Sequence, residues 1–517
     1  MKTVFLPIVT FLTFAKAAEI PEKQAPNIIV IVSDDQGYAD AGFQGSKEIP
    51  TPELDRLAHD GVRCTRGYVT APVCSPTRAG LMSGRYQQRF GHHNNIVAEA
   101  ALPVAHTPTD ETLLPQVLGK AGYHTAMVGK WHLGLQDGCR PYERGFQEFF
   151  GIITGGHDYF VNDPEERAKG DGGYKARIER NGPKGEKVPG YLTDAFGADA
   201  ERVIRESHEK RPGKPLFLYL AFNAPHTPTQ APDDLTDSMP VTLEGKNRRT
   251  YAAQIAAMDR AIGKVRRALK ETGMDQNTFI VFFSDNGGAR FPFYDNTPLR
   301  DHKGSLYEGG IRVPFLAVLP GRIPAGRVCD VPVTSLDVFA TACALAGITP
   351  QTAKPLDSRD MLPVLTGASE KAAHPALFWD FPAAGQAVAD GDLKLVMAKD
   401  AKPQLFDLSK DVGEKHDLAD QRPEDVKRLA ALLEQWRQGN VKPLWGPRSG
   451  VSNDGGSPPS GRERLFGQRD KNQDGRISKD EFMAAQKDQA EGGKRFAKFD
   501  KNQDGSLDRD EFVRMGK

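Results

Sequence analysis

Three long apolar runs, each ending in a polar tip, constrain this fold more than any other feature. They are "PNIIVIVSDDQG" (26–37), "KPLFLYLAFNAPH" (214–226) and "NTFIVFFSDNGG" (277–288). A half-exposed strand alternates apolar and polar residues, whereas a continuous run suits a strand covered on both faces. Between the runs lie helical patterns at Thr112–Ala121 and Tyr251–Thr272, the second with Ile255, Met258, Ile262, Val265 and Leu269 on one stripe. Strand–helix alternation predicts an α/β domain with a mainly parallel sheet flanked by helices. Ligand sites in such sheets form at the carboxyl ends of the strands. The acids, amide and histidine at the three tips therefore have a physical reason to cluster.

After about Leu345 the texture changes. Short strand-like pieces, "HPALFWDF" and "LKLVMAK", lead through "QLFDLSKDVGEKHDLA" to a helix at about Glu424–Gln438, which predicts a smaller α+β subdomain over 346–445 behind the α/β domain at 18–345. Residues 446–464 have the Gly, Ser and Pro content of a linker. At the N-terminus, Lys2, an apolar run from Val4 to Phe14 and Ala15-Lys16-Ala17 form a secretory-signal pattern over 1–17. The run is short for a membrane-spanning anchor, its rival reading. Export to a periplasm or the medium is expected. Basic and acidic residues cancel at 68 each, which argues against a nucleic-acid binder held by bulk charge. Five cysteines (Cys64, Cys74, Cys139, Cys329, Cys343) are too sparse for a disulfide scaffold. Their odd number allows two bridges plus one residue with other work, and nothing local names the pairs.

Over 465–517 an internal repeat stands out: "DKNQDGRISKDE" from Asp470 and "DKNQDGSLDRDE" from Asp500. Oxygen side chains at loop positions 1, 3 and 5, glycine at 6 and glutamate at 12 make the EF-hand pattern, hard ligands on a tight loop closed by a bidentate carboxylate. The first loop offers Asp470, Asn472, Asp474, Ser478 and Glu481, with Arg476 through its carbonyl; the second offers Asp500, Asn502, Asp504, Asp508 and Glu511, with Ser506 through its carbonyl. Up to two Ca²⁺ ions are expected in a small all-α module whose core draws on Phe466, Phe482, Phe496, Phe499 and Phe512.

Cys74 opens "CSPTR", and the residues alone leave it a disulfide partner, a metal ligand, a buried thiol or a catalytic precursor. The stretches "SDDQG", "CSPTR", "GKWHLG", "APHTP", "SDNGG" and "HKGSLYEGGIRVP" occur in the order found in the type I sulfatases of the alkaline-phosphatase-like superfamily, which the chain resembles over roughly 26–438. The resemblance implies that Cys74 is oxidised to formylglycine by a maturation enzyme. The hydrated aldehyde would then attack sulfur while touching a Ca²⁺ ion. It implies that Asp34, Asp35, Asp285 and Asn286 hold that ion, with Arg78 supporting the site. Lys130 would steady the nucleophile and sulfate, His132 would serve as base, and His226 and Lys303 would bind sulfate and protonate the leaving oxygen. Two departures stand out: Thr77 where serine is common, and Gly155 and Gly156 where some members carry an active-site serine.

Sulfated carbohydrates are the expected substrates, as in arylsulfatase and N-acetylhexosamine-6-sulfatase relatives. His92, His93, Asn94, Asn95, His157, Asp158 and Arg300 are candidates to line a polar sugar pocket. Two rivals remain: a phosphatase or phosphonate monoester hydrolase of the same superfamily, and a calcium-dependent glycan-binding protein on an inactive scaffold.

Overall fold

The computed structural model describes residues 25–96, 104–160, 177–240, 245–446, 469, 476–484, 489–500, 504–508 and 511–512. The signal segment, the linker beyond Gly446, Phe466 and the loop residues Asp470, Asn472, Asp474 and Asn502 lie outside the described residues.

In chain order the first strands are β1 (Asn27–Ser33), β2 (Val62–Cys64), β3 (Gly67–Tyr68), β4 (His124–Lys130), β5 (Glu148–Ile152), β6 (Ile178–Arg180), β7 (Leu216–Ala221), β8 (Thr278–Ser284), β9 (Phe315–Val318), β10 (Arg327–Cys329) and β11 (Val333–Thr334). All but β3 and β11 form one nine-stranded sheet in the order β10-β2-β9-β8-β1-β7-β4-β5-β6, while β3 pairs with β11. From β8 to β5 every neighbour is parallel. Antiparallel pairing enters only on the flanks, at β8–β9, β2–β9 and β5–β6.

The three apolar runs are β1, β7 and β8 at the centre. Ile28, Val30 and Val32 face one buried cluster, and Ile29 and Ile31 face another on the opposite side. That two-sided burial is why no polar residue interrupts the runs. Helices Leu192–Lys210 and Lys246–Glu271 cover one face through residues such as Phe196, Val203, Met258 and Ile262. On the other face lie α1's successor, α2 (Cys74–Ser83; α1 is Pro52–Asp60), and helix Val338–Leu345.

The core under the sheet continues past residue 345 through Met361, Leu362, Val364 and Leu365. The second body begins with an antiparallel sheet in the order β12 (Ala376–Phe381), β13 (Gly385–Asp390), β14 (Leu393–Ala398) and β15 (Gln404–Asp407). Helix Pro423–Arg437 covers it through Leu429, Leu433 and Trp436. The two bodies meet around Lys394, whose buried ammonium lies 2.8 Å from Glu308 and 2.9 Å from Glu414. Tyr68 donates to the same Glu308 at 2.8 Å.

The C-terminal module has its own core of Ile477, Phe482, Phe496, Leu507 and Phe512, with Phe499 packed against it. Its two loops are tied by an antiparallel pairing of Ile477–Ser478 with Ser506–Leu507. Among the described residues, no helix is long and apolar enough to cross a membrane.

Candidate active site

Cys74 is the first residue of α2, entered from extended Val73, so the positive end of the helix dipole lies at its thiol. The thiol donates to Asp34 Oδ1 at 3.4 Å and accepts from Lys303 Nζ at 3.3 Å. Lys303 also donates to both oxygens of Asp35, at 2.7 and 2.8 Å, and Lys130 donates to Asp34 Oδ2 at 2.7 Å. One turn along α2, Arg78 binds Asp285 Oδ2 through Nε at 2.8 Å and through its terminal nitrogen at 2.7 Å. Its other terminal nitrogen donates to the Lys130 carbonyl at 2.9 Å. Arg78 thereby ties α2 to the ends of β8 and β4. Thr77 donates to the Ala71 carbonyl at 2.9 Å, a bond any small hydroxyl residue can make, so the departure from serine is structurally silent.

The sequence candidates at the strand ends therefore come together. Asp34 and Asp35 follow β1, Lys130 ends β4, His226 follows β7, and Asp285 and Asn286 follow β8. Asp35 and His132 both adopt positive φ, at 64° and 60°. Strained backbone at non-glycine residues persists where the surroundings over-determine it, commonly at functional sites. The "SDNGG" and "EGGIRVP" segments approach so closely that a Cβ on Gly287 would lie 1.8 Å from the Gly309 carbonyl oxygen.

All these groups are buried, and their charges are set by one another. Burial alone would raise the Asp34 carboxyl, but the charges of Lys130, Arg78 and Lys303 together hold it well below the usual carboxylate range. Asp285 is pushed up to about 6, first by burial and then by the charge of Asp34. Burial, followed by the Asp285 charge, drives the Cys74 thiol far up, so as a thiol it is a poor nucleophile. Desolvation works against the Lys303 ammonium, yet Asp35 and its neighbours keep it firmly protonated. Burial lowers His226, which stands 3.5 Å from Asp35 as a neutral imidazole. Burial and then the Lys130 charge lower His132. His132 Nε2 donates to the Ile96 carbonyl at 2.8 Å, which leaves the lone pair on Nδ1, a buried atom without a hydrogen-bond partner among the described residues.

The donor set suits a hard divalent cation: Asp34, Asp35, Asp285 and Asn286 offer buried oxygens from two adjacent strand ends. Asn286 Nδ2 donates to Asp35 Oδ1 at 2.8 Å while its Oδ1 is buried and unpaired among the described residues. Turning that amide over presents an oxygen to the carboxylates, which only a cation between them stabilises. The residues fit the ion. Among the described residues, Asp34, Asp35, Cys74 and His226 each offer a ligand atom within 4.8 Å of the others. Asp285 is bound through Oδ2 by Arg78 and accepts from the Asp35 backbone through Oδ1 at 3.3 Å.

The pocket candidates divide. His92 is fully buried and hydrogen-bonds Ser75 Oγ at 2.6 Å and Thr107 at 3.1 Å, so it braces α2. Asn95 accepts from the Ser75 backbone at 2.9 Å, and Asn94 donates to the Trp445 carbonyl at 2.8 Å. Arg300 is engaged too: it stacks 3.7 Å over the Tyr307 ring and donates to the Glu414 carbonyl. His93 is buried beside Asp380 of β12, whose charge partly offsets the burial that lowers its pKa. His157 is buried, with Nδ1 2.5 Å from the Asp158 carbonyl. The glycine that replaces the family's serine has a steric reason, since a Cβ on Gly155 would lie 2.5 Å from His132 Cε1.

Sequence reasoning missed Ser75, which donates to the His132 carbonyl at 2.6 Å, and Tyr219, 3.4 Å from Arg78 inside β7. It also missed Lys394, although a lysine inside the apolar run "LKLVMA" was a visible signal. In the C-terminal module, Glu481 and Glu511 accept from the backbones of Ser478 and Asp508, and Arg476 bridges to Asp504 at 2.7 Å.

A large, mainly parallel sheet with a cationic, carboxylate-lined site at the carboxyl ends of its central strands defines the alkaline-phosphatase-like architecture. The sulfatase family model matches residues 26–348, and an EF-hand model matches 462–484 and 494–515. The chain belongs to the sulfatase family, whose enzymes are sulfuric ester hydrolases, and carries a C-terminal EF-hand pair. Arylsulfatase J of Mus musculus is 38% identical over 322 residues, 62% of this chain but 52% of that protein, so the chain spans about half the length of that relative. N-acetylgalactosamine-6-sulfatase of Homo sapiens is 31% identical over 81% of this chain and 87% of its own length. The crystal structure of Ps i-CgsB in complex with k-i-k-neocarrahexaose superposes with a TM-score of 0.77 at 37% identity, covering 82% of this chain and 95% of that one. A phosphonate monoester hydrolase of Agrobacterium radiobacter shares the fold at 22% identity and a TM-score of 0.58, covering 80% of this chain and 96% of its own.

Proposed function

We propose that this protein is an exported sulfatase that hydrolyses sulfate monoesters on carbohydrates, with Cys74 matured to formylglycine by a dedicated enzyme and one Ca²⁺ held by Asp34, Asp35, Asp285 and Asn286. The observation that carries the reading is the placement of Cys74: a deeply buried, unreactive thiol at a helix N-terminus, between Asp34 and Lys303. A cysteine kept as a thiol gains nothing from that setting. A formylglycine there, hydrated, supplies a hydroxyl nucleophile to the same position. The calcium ion supplies positive charge for the sulfate oxygens and the nucleophile.

The chain's own residues account for the rest. Lys130 and Lys303 are desolvated cations beside the nucleophile, so they hold an anionic sulfate and resist releasing it to water. Lys303 also has a proton to give as the alcohol oxygen departs, and neutral His226 shares that edge of the site. His132, with its Nδ1 lone pair kept open by the Ile96 bond, is suited to accept a proton. The carbohydrate class is supported by relatives named for N-acetylgalactosamine 6-sulfate and by the neocarrahexaose complex of the neighbouring structure. The EF-hand pair is read as a calcium-binding module with a stabilising or adhesive role.

The test is mass spectrometry of the Cys74 peptide from the native host, paired with turnover of 4-nitrophenyl sulfate, 4-nitrophenyl phosphate and sulfated hexosamine or galactose oligosaccharides. Aldehyde mass at position 74 with sulfate release far above phosphate release is the expected outcome. Matured protein that prefers the phosphate returns the phosphatase reading, and an unmodified cysteine in inactive protein returns the binding-protein reading.

A further inference from the structure

The strand register places two cysteines side by side. In the parallel pairing of β10 with β2, Cys329 is the direct partner of Cys64. Neighbouring strands lie about 4.8 Å apart, inside the Cα separation of roughly 4.4–6.8 Å that a disulfide spans. Both side chains enter the same buried cluster, at 0% and 1% exposure, so they point to the same face. The other cysteines sit on other elements: Cys74 on α2, Cys139 ahead of the turn at Pro141, and Cys343 in helix Val338–Leu345.

We infer that Cys64 and Cys329 are a disulfide-forming pair that clamps the edge of the main sheet beneath the catalytic helix. The inference rests on strand register and does not depend on the sulfatase reading.

The chemistry needs an oxidant, and a disulfide-bearing one such as glutathione disulfide suffices. The Cys329 thiolate attacks one glutathione sulfur, forming a mixed disulfide and expelling a glutathione thiolate. The Cys64 thiolate then attacks Cys329 Sγ, forms the protein disulfide and expels the second. Two protein thiols are oxidised, one oxidant disulfide is reduced, and the two thiol protons pass to the two glutathione molecules. Cys329 is the better placed to begin the exchange, because it lies on the edge strand of the sheet while Cys64 lies one strand inside. Access is through β10, a three-residue edge strand whose middle residue, Val328, is 46% exposed. Short edge elements open locally at little cost.

The clamp's position gives it consequence. β2 runs on through β3 toward Cys74, and β10 runs on through β11 to helix Val338–Leu345. β3 pairs with β11, and Phe339 of that helix shares a core cluster with Leu81 and Met82 of α2. A bond at Cys64–Cys329 closes a long chain loop, the case in which cross-linking restricts the unfolded state most. It also removes Cys64 as a competing partner for Cys74.

The test uses the full-length protein in buffers of graded glutathione disulfide to glutathione ratio, quenched with acid, denatured, alkylated and digested. The expected result is a cross-linked peptide pair, two hydrogens lighter than its parts, with Cys64 and Cys329 losing alkylation in step and Cys139 and Cys343 keeping it. The oxidised protein should also show a higher Tm than the same sample after reduction, and Cys64→Ser should leave Cys329 as a glutathione adduct. Full alkylation of both residues at the most oxidising ratio, or either one joined to another cysteine, overturns the inference. Turnover is not a readout, so a failure here is distinct from a failure of the proposed activity.

Discussion

At the scale of single residues, Gly155 decides where the imidazole of His132 can stand. The ring is pinned on one side by the Ile96 carbonyl and has no room for a methyl group on the other. Gly155→Ala should therefore displace His132 with little loss of fold stability and lower kcat by about 10²-fold, the lower end of what a positioned acid–base group contributes. Steady-state kinetics beside a thermal melt checks this; unchanged kcat would show that His132 has no such role. Part of this site was legible from the strand tips, where Asp34, Asp35, Asp285 and Asn286 sit, while Cys74, Lys130, His226 and Lys303 were named through the motifs that carry the family resemblance. What local pattern could not supply was the partner of each group. Nothing in "RFGHHNN" distinguishes His92, buried against Ser75, from a histidine facing a sugar. Nothing near Arg300 announces that Tyr307 and Glu414 hold it.

At the scale of elements, the central strands were readable because burial on both faces erases alternation, and the long helix over Tyr251–Thr272 because its apolar stripe keeps period. The flanking strands β2, β6, β9 and β10 have only three or four residues each, and long-range pairing creates them. Capping is equally non-local. The Thr51 side chain makes no capping bond to α1; instead Asp259, from helix Lys246–Glu271, accepts the backbone N–H of Glu53 at 3.0 Å and of Leu54 at 2.8 Å. Burial raises that carboxyl to about 7 against the pull of the two N–H groups, with Glu53 and Asp55 adding to the rise. The folded protein therefore keeps a proton on Asp259 that the unfolded chain releases near pH 4. The stability this proton contributes is complete below about pH 4 and is lost as pH rises toward 7, at about 1.4 kcal/mol per pKa unit of displacement. Asp259→Asn keeps an acceptor and removes the titration, so its Tm should fall less than the parent's between pH 5 and 7.5. Parallel melting curves across that window would contradict the assignment.

At the scale of the whole molecule, the catalytic body and the antiparallel subdomain are joined through charge as well as apolar contact. Lys394 of β14 is buried between Glu308 and Glu414, with Arg312 at 3.3 Å from Glu308 as the second cation of the group. Glu308 lies five residues after Lys303, and the Gly309 N–H donates to the Arg300 carbonyl at 2.7 Å, which closes the loop that presents Lys303. Burial raises Glu414 to about 7 and Lys394 pulls it back, so the ammonium is what makes the second carboxyl tolerable. Lys394→Met takes away that cation and leaves two buried acids facing each other, a change that costs about 3–5 kcal/mol when one partner of a buried pair is lost. The same substitution should lower turnover, because the Lys303 loop loses its footing. Adding Glu414→Gln to Lys394→Met removes the carboxylate left without a cation while Glu308 keeps Arg312, so that double variant should recover most of the Tm. Whether turnover returns with it separates two ways the subdomain serves the site. Recovery of both means that packing alone positions Lys303, while recovery of Tm without turnover means that the charged cluster sets the loop's geometry. A Lys394→Met protein that melts and turns over like the parent would show that the subdomain is merely appended to the catalytic body.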